Sequence, residues 1–107
     1  MVLKSCYKYS FDTGKWEKIS DMNEGRVFFS STFLESGKDI MVVGGYDGEN
    51  VLTSSEKLNI EKGVWEKCEG ITDKRLNLAA INHNGSVYIF GGVNDKNEIL
   101  SQIERYD

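Results

Sequence analysis

Side chains able to do covalent or metal chemistry are few in this sequence and do not converge. There is one histidine, His83, and there are two cysteines, Cys6 and Cys68. A hydrolytic or transfer site needs a nucleophile, a base and an orienting partner within reach of one another. His83 lies in Asn82-His83-Asn84-Gly85 with no serine, cysteine or acid at a catalytic spacing, so it reads as a solvated turn histidine. Zinc sites use Cys-x-x-Cys or clustered histidines, and neither occurs here. The two cysteines read as reduced, partly buried thiols, because free cysteine packs as a small apolar residue. The glycine pairs Gly44-Gly45 and Gly91-Gly92 lack the following lysine and hydroxyl residue of a phosphate loop. Asn84-Gly85-Ser86 matches a glycosylation sequon but reads as a hairpin turn. The expectation is no catalytic residue, no metal and no cofactor.

Composition narrows the classes further. With 13 Lys plus Arg against 17 Asp plus Glu, the formal net charge is −4. No basic run is present to neutralise phosphates, so neither nucleic acid nor a membrane surface is the expected partner. No window approaches the roughly 18 apolar residues of a membrane span, and no signal peptide opens the chain. The expected location is the cytoplasm.

What remains is a repeat. A shift of 49 aligns Val2-Leu3 with Val51-Leu52, Ser5 with Ser54, Lys8 with Lys57, Gly14 with Gly63, Trp16-Glu17-Lys18 with Trp65-Glu66-Lys67, and Arg26 with Arg75. The glycine pairs recur at a shift of 47, and Leu52 and Glu56 recur as Leu100 and Glu104 at a shift of 48. Small drifts of this kind belong in loops, which tolerate insertion. Fixed periods of 20–50 residues mark repeat architectures.

Each unit divides into four strands. The first follows Arg26 or Arg75 and carries Ser30-Ser31 or Ala79-Ala80. The second is an apolar run into the glycine pair, Ile40 to Gly45 or Val87 to Gly92, a pattern that predicts burial on both faces. The third covers Ser54 to Ile60, Ser101 to Tyr106 and, near the start, Ser5 to Phe11. The fourth centres on Trp16 or Trp65, whose indoles are expected between sheets. Asn84-Gly85 predicts a two-residue hairpin, and no segment holds a helical period.

These residues resemble the Kelch repeat. The likeness rests on Gly44-Gly45, Glu56-x-Leu58-Asn59 and Trp65 in one unit, Gly91-Gly92 and Glu104-x-Tyr106-Asp107 in the next, and Tyr7-x-Tyr9-Ser10 with Trp16 at the start. Leu58 stands where an aromatic is usual, and proline is absent. The resemblance implies an all-β fold of Kelch-type β-propeller blades, each a four-stranded antiparallel sheet. Residues 1–25 would be the outer strands of one blade, 26–74 a complete repeat, and 75–107 a repeat lacking its last strand. A partial propeller leaves apolar faces bare. The chain is therefore expected to be an excerpt of a longer protein, with self-association to complete a propeller as the alternative.

The resemblance also implies a protein–protein interaction module that holds a partner protein or peptide on its loop face. The residues it implicates are Tyr46, Asp47 and Asn50, then Val93 and Asn94, together with Arg26, Phe28, Arg75 and Asn77. Arg26 and Arg75 have a structural alternative, tying blade to blade through loop carbonyls, and Asp47 an alternative as turn former. One version of the function is substrate receptor of a cullin-type ubiquitin ligase. Others are a cytoskeletal or scaffold role, or purely structural blades. Copper oxidation, known among similar propellers, would need several His, Tyr and Cys ligands, and one histidine cannot supply them.

Overall fold

The computed structural model describes residues 1–107 as nine strands in three antiparallel sheets, with no helix. The first sheet pairs β1 (Cys6–Ser10) with β2 (Lys15–Ile19). The second orders β3 (Ser30–Phe33), β4 (Asp39–Val43), β5 (Ser55–Asn59) and β6 (Val64–Cys68). The third orders β7 (Ala79–His83), β8 (Ser86–Phe90) and β9 (Ile103–Tyr106). Neighbours in each sheet are consecutive in sequence, so the connections alternate between two ends. One end carries only tight turns. The other carries the long segments after each glycine pair and the crossings between sheets.

The turn chemistry explains the registers. Gly14 and Gly63 adopt φ of 68° and 66° and donate to the carbonyls of Ser10 and Asn59, closing matched hairpins. Those hairpins place Trp16 opposite Tyr9 and Trp65 opposite Leu58. Asn84 and Gly85 both have positive φ, 49° and 84°, as a two-residue turn between His83 and Ser86 requires. His83 is exposed beside that turn.

The core forms where the second and third sheets meet. Met41 and Val43 of β4 pack with Ile71, Leu78, Val87 and Ile89, and Ala80, Leu34 and Tyr106 close the rim. Each of the six fully packed Met, Val, Ile and Leu side chains contributes roughly 1.5–3 kcal/mol on leaving water. The inner strands also meet directly: the Ala80 and Asn82 amides donate to the hydroxyls of Ser30 and Thr32, at 3.0 and 3.1 Å. Packing against the first sheet is looser, with a cavity of about 330 Å³ lined by Tyr7, Ile19, Ile40, Leu58 and Ile60 among others.

Burial follows position within the row of sheets. β4 lies between two neighbours, and Met41, Val42 and Val43 are all buried. β8 covers only one face: Val87 and Ile89 are buried, whereas Tyr88 is half-buried and Phe90 exposed. The apolar run there was expected to be buried on both sides, and the difference arises because no sheet follows the third among these residues. Trp65 behaves as an inter-sheet residue, its Nε1–H donating to the Ser20 carbonyl at 2.9 Å. Trp16 occupies the matching place on the first sheet, with no sheet before it, and is 69% exposed. It leans instead on Tyr9, ring centroids 5.2 Å apart.

Candidate functional site

The end carrying the long loops gathers most of the positions singled out in the sequence. After β4 the chain bends sharply through Gly44 and Gly45, at φ of 69° and 99°. A Cβ on Gly45 would stand 2.5 Å from the Val27 carbonyl oxygen, so only glycine lets the loop approach the incoming segment. Val27 and Tyr46 then exchange two backbone hydrogen bonds at 2.9 and 2.8 Å, and Leu76 and Val93 repeat this in the next unit. Two segments distant in sequence are thereby fixed side by side.

Within the loop, Asp47 Oδ1 accepts the amides of Glu49 and Asn50 at 2.8 and 2.7 Å. Those two amides, Asn50's foremost, hold its carboxyl below the usual carboxylate range. Asn94 repeats the device, its Oδ1 accepting the Lys96 and Glu98 amides. Asp47 and Asn94 therefore shape the loops. Tyr46 donates its hydroxyl to the Gly48 carbonyl at 2.9 Å and is half-buried, as is Val93, while Asn50 is exposed.

The two arginines point inward. Arg26 donates to the carbonyls of Gly44 and Ser54, to Ser54 Oγ and to Glu56, at 2.9 to 3.3 Å. Glu56, 1% exposed, also accepts the Asn23 and Glu24 amides and the Asn23 side-chain amide. The segment crossing from the first sheet is thus pinned onto the second. Arg75 donates to Glu104, Gly91 and Gln102, and Glu104 accepts the Thr72 and Asp73 amides. Both guanidinium groups are buried. Buried among these partners, they take the arrangement that the structural alternative describes. The glutamates are the partners that sequence reasoning missed. Their signal was present, since Glu56 recurs as Glu104 almost in step with the arginines.

Phe28 and Asn77, one repeat apart, are different. Both adopt left-handed backbone, φ of 56° and 55°, and both side chains are exposed, Phe28 by 58%. The Asn77 amide donates to the Phe28 carbonyl at 2.8 Å, joining the two units next to the inner strands. A phenylalanine in this region of backbone space is an outlier, and such strain clusters at functional sites. No group of three or more His, Cys, Asp or Glu residues could hold a metal ion. The cysteines are free, and burial pushes both thiols up.

The Kelch motif family matches residues 30–70 and 74–107. The chain belongs to the Kelch family. Its β-strands are Kelch blades: two strands of one, four of the next and three of a third. A RING finger domain and kelch repeat-containing protein of Dictyostelium discoideum is 29% identical over 107 residues, covering 97% of this chain and 11% of that protein. An F-box/kelch-repeat protein of Arabidopsis thaliana is 30% identical over 92 residues, with 85% and 20% covered. Kelch domain-containing protein 10 of Homo sapiens is 28% identical over 98 residues, with 85% and 22% covered. The chain thus spans under a quarter of the length of each. Kelch repeats are protein-interaction modules.

The contact of Glu104 with Arg75 and the Thr72 and Asp73 amides, which latches the crossing segment onto the third blade, has a pH dependence of known sign. Burial raises the Glu104 carboxyl, but the Thr72 and Asp73 amides and Arg75 outweigh it, leaving the group below its ordinary value of 4.5. The unfolded chain therefore binds more protons in that window, and stability falls as pH drops through it. Thermal melts at pH 6 and pH 3.5 are expected to show this loss, with Glu104→Gln reducing the difference between them.

Proposed function

We propose that the loop end of these blades holds a segment of a partner protein, with Phe28, Asn77, Tyr46 and Asn50 as its contact residues and Val93 and Asn94 extending it into the third blade. The observation that supports this most is Phe28, an aromatic ring kept exposed in a strained backbone conformation beside the inner strands. Rigid aromatic anchors dominate binding energy at protein interfaces. Charge adds to it. Asp21, Glu24, Asp47, Glu49, Glu69, Asp73, Asp95 and Glu98 stand on these loops against Lys74, Lys96 and the buried Arg26 and Arg75. A partner segment carrying Lys or Arg suits that field, and its association slows as salt rises. Two relatives bear a RING finger and an F-box in their names. That supports the finer reading, substrate receptor of a ubiquitin ligase, with recognition here and transfer machinery elsewhere.

A second reading, blades that serve only the architecture of a larger ring, draws support from the buried arginines and from Asp47 and Asn94 as loop formers. One substitution separates the two. Phe28→Asn keeps a residue tolerant of left-handed backbone and removes the ring. Peptides selected by display on the immobilised chain are expected to lose at least roughly tenfold in affinity for Phe28→Asn, while the melting temperature holds or rises. Tyr46→Ala with Asn50→Ala should weaken them in the same direction. Selected peptides indifferent to all three changes would favour the architectural reading.

A further inference from the structure

The turn between β7 and β8 holds one side-chain amide between a carboxylate and an imidazole. Of the asparagines in the chain, only Asn84 precedes a glycine. It is exposed, and nothing lies within 4 Å of where a Gly85 side chain would stand, so the Gly85 nitrogen is free of steric cover. That nitrogen donates its proton to Glu35 Oε2 at 3.0 Å. Glu35 belongs to the β3–β4 turn of the adjacent blade, and the same oxygen takes the Asn82 side-chain amide at 3.4 Å. On the other side, Asn84 Nδ2 lies 3.2 Å from His83 Nε2.

These are the positions that cyclisation of an asparagine requires. The Gly85 nitrogen attacks Asn84 Cγ within one chain, so nucleophile and electrophile need no encounter. The Gly85 amide must lose its proton, and a carboxylate already accepts from it. The departing Nδ2 must gain one, and an imidazole stands beside it. An acid or base in such a step must lie within hydrogen-bond reach of the proton it moves. Both do.

We propose that Asn84 is a self-modification site, converted through a succinimide to aspartate and isoaspartate with Glu35 as base and His83 as acid. The Gly85 N–Asn84 Cγ bond forms as Glu35 takes the amide proton. The Cγ–Nδ2 bond breaks as protonated His83 delivers a proton to the nitrogen, and ammonia leaves. Glu35 then releases its proton to solvent and His83 regains one from it. Water opens the succinimide at either carbonyl. One water is consumed, one ammonia is released, and nothing is oxidised or reduced. Either product sets a new carboxylate beside Glu35, whose hold on Gly85 and Asn82 ties the second blade to the third. Like charges at that distance repel, so conversion loosens the tie. The site lies at the tight-turn end and stands or falls independently of the loop end.

The purified chain, aged at physiological pH and temperature, is to be sampled by peptide mapping with mass spectrometry that separates asparagine, aspartate and isoaspartate. Asn84 is expected to convert before every other asparagine. Glu35→Gln keeps an oxygen for the Gly85 amide but removes the base, and should slow conversion roughly tenfold or more. His83→Gln, an exposed position, should slow it as well. If Glu35 merely braced the turn, its loss would free the chain to cyclise and speed the reaction, the opposite sign. Conversion at Asn84 no faster than at the other asparagines overturns the proposal, as does an unchanged or higher rate in either variant.

Discussion

Replacing Glu56 by alanine is expected to cost about 3–5 kcal/mol, the range for removing one partner of a buried ion pair. The substitution strips the carboxylate from Arg26, whose guanidinium stays buried against Gly44 and Ser54. It also orphans the amides of Asn23 and Glu24, which hold the crossing segment on the middle blade. A loss of that size is a large share of the 5–15 kcal/mol that ordinarily keeps a domain folded. Urea denaturation should show a lower midpoint. The double variant Arg26→Met with Glu56→Leu should recover part of the loss, because no charge is then left alone, although the two amides remain without partners. A double variant no better than Glu56→Ala would mean that the amides, and not the arginine, dominate the latch.

Gly45→Ala is expected to destabilise by about 3 kcal/mol or more, combining backbone strain of about 1–3 kcal/mol with hydrogen bonds worth about 1 kcal/mol each. At φ of 99° the backbone suits glycine alone, and the added Cβ would meet the Val27 oxygen at 2.5 Å. The paired bonds between Val27 and Tyr46 must open to admit it. Gly37→Ala is the control. Its φ is 70°, yet nothing lies within 4 Å of the added carbon, so only the conformational cost of about 1 kcal/mol applies. Equal losses at the two positions would refute close approach as the reason for the glycine.

Much of this was legible in the residues. The recurrence of Trp16 and Trp65 at a shift of 49 located two strands, and the apolar runs into the glycine pairs located two more, because each blade repeats one local solution. Asn84-Gly85 named its own turn. The exposure of Trp16 and Phe90 was not legible, since periodicity specifies a face but not whether another sheet covers it. Nor was the role of the arginines: recurrence marks a residue as part of the unit without saying whether it points in or out. The left-handed backbone at Phe28 escaped altogether, because sequence rules assign that conformation to glycine, asparagine or aspartate. Asn77 at the matched position was the one hint.

The central claim is that recognition belongs to the loop end, and amide hydrogen exchange with and without a display-selected peptide tests it most directly. Slowed exchange is predicted around Phe28, Tyr46 to Asn50, Asn77, and Val93 to Asn94. Protection confined to the opposite end, at residues 34–38, 60–63 and the Asn84-Gly85 turn, would contradict the account.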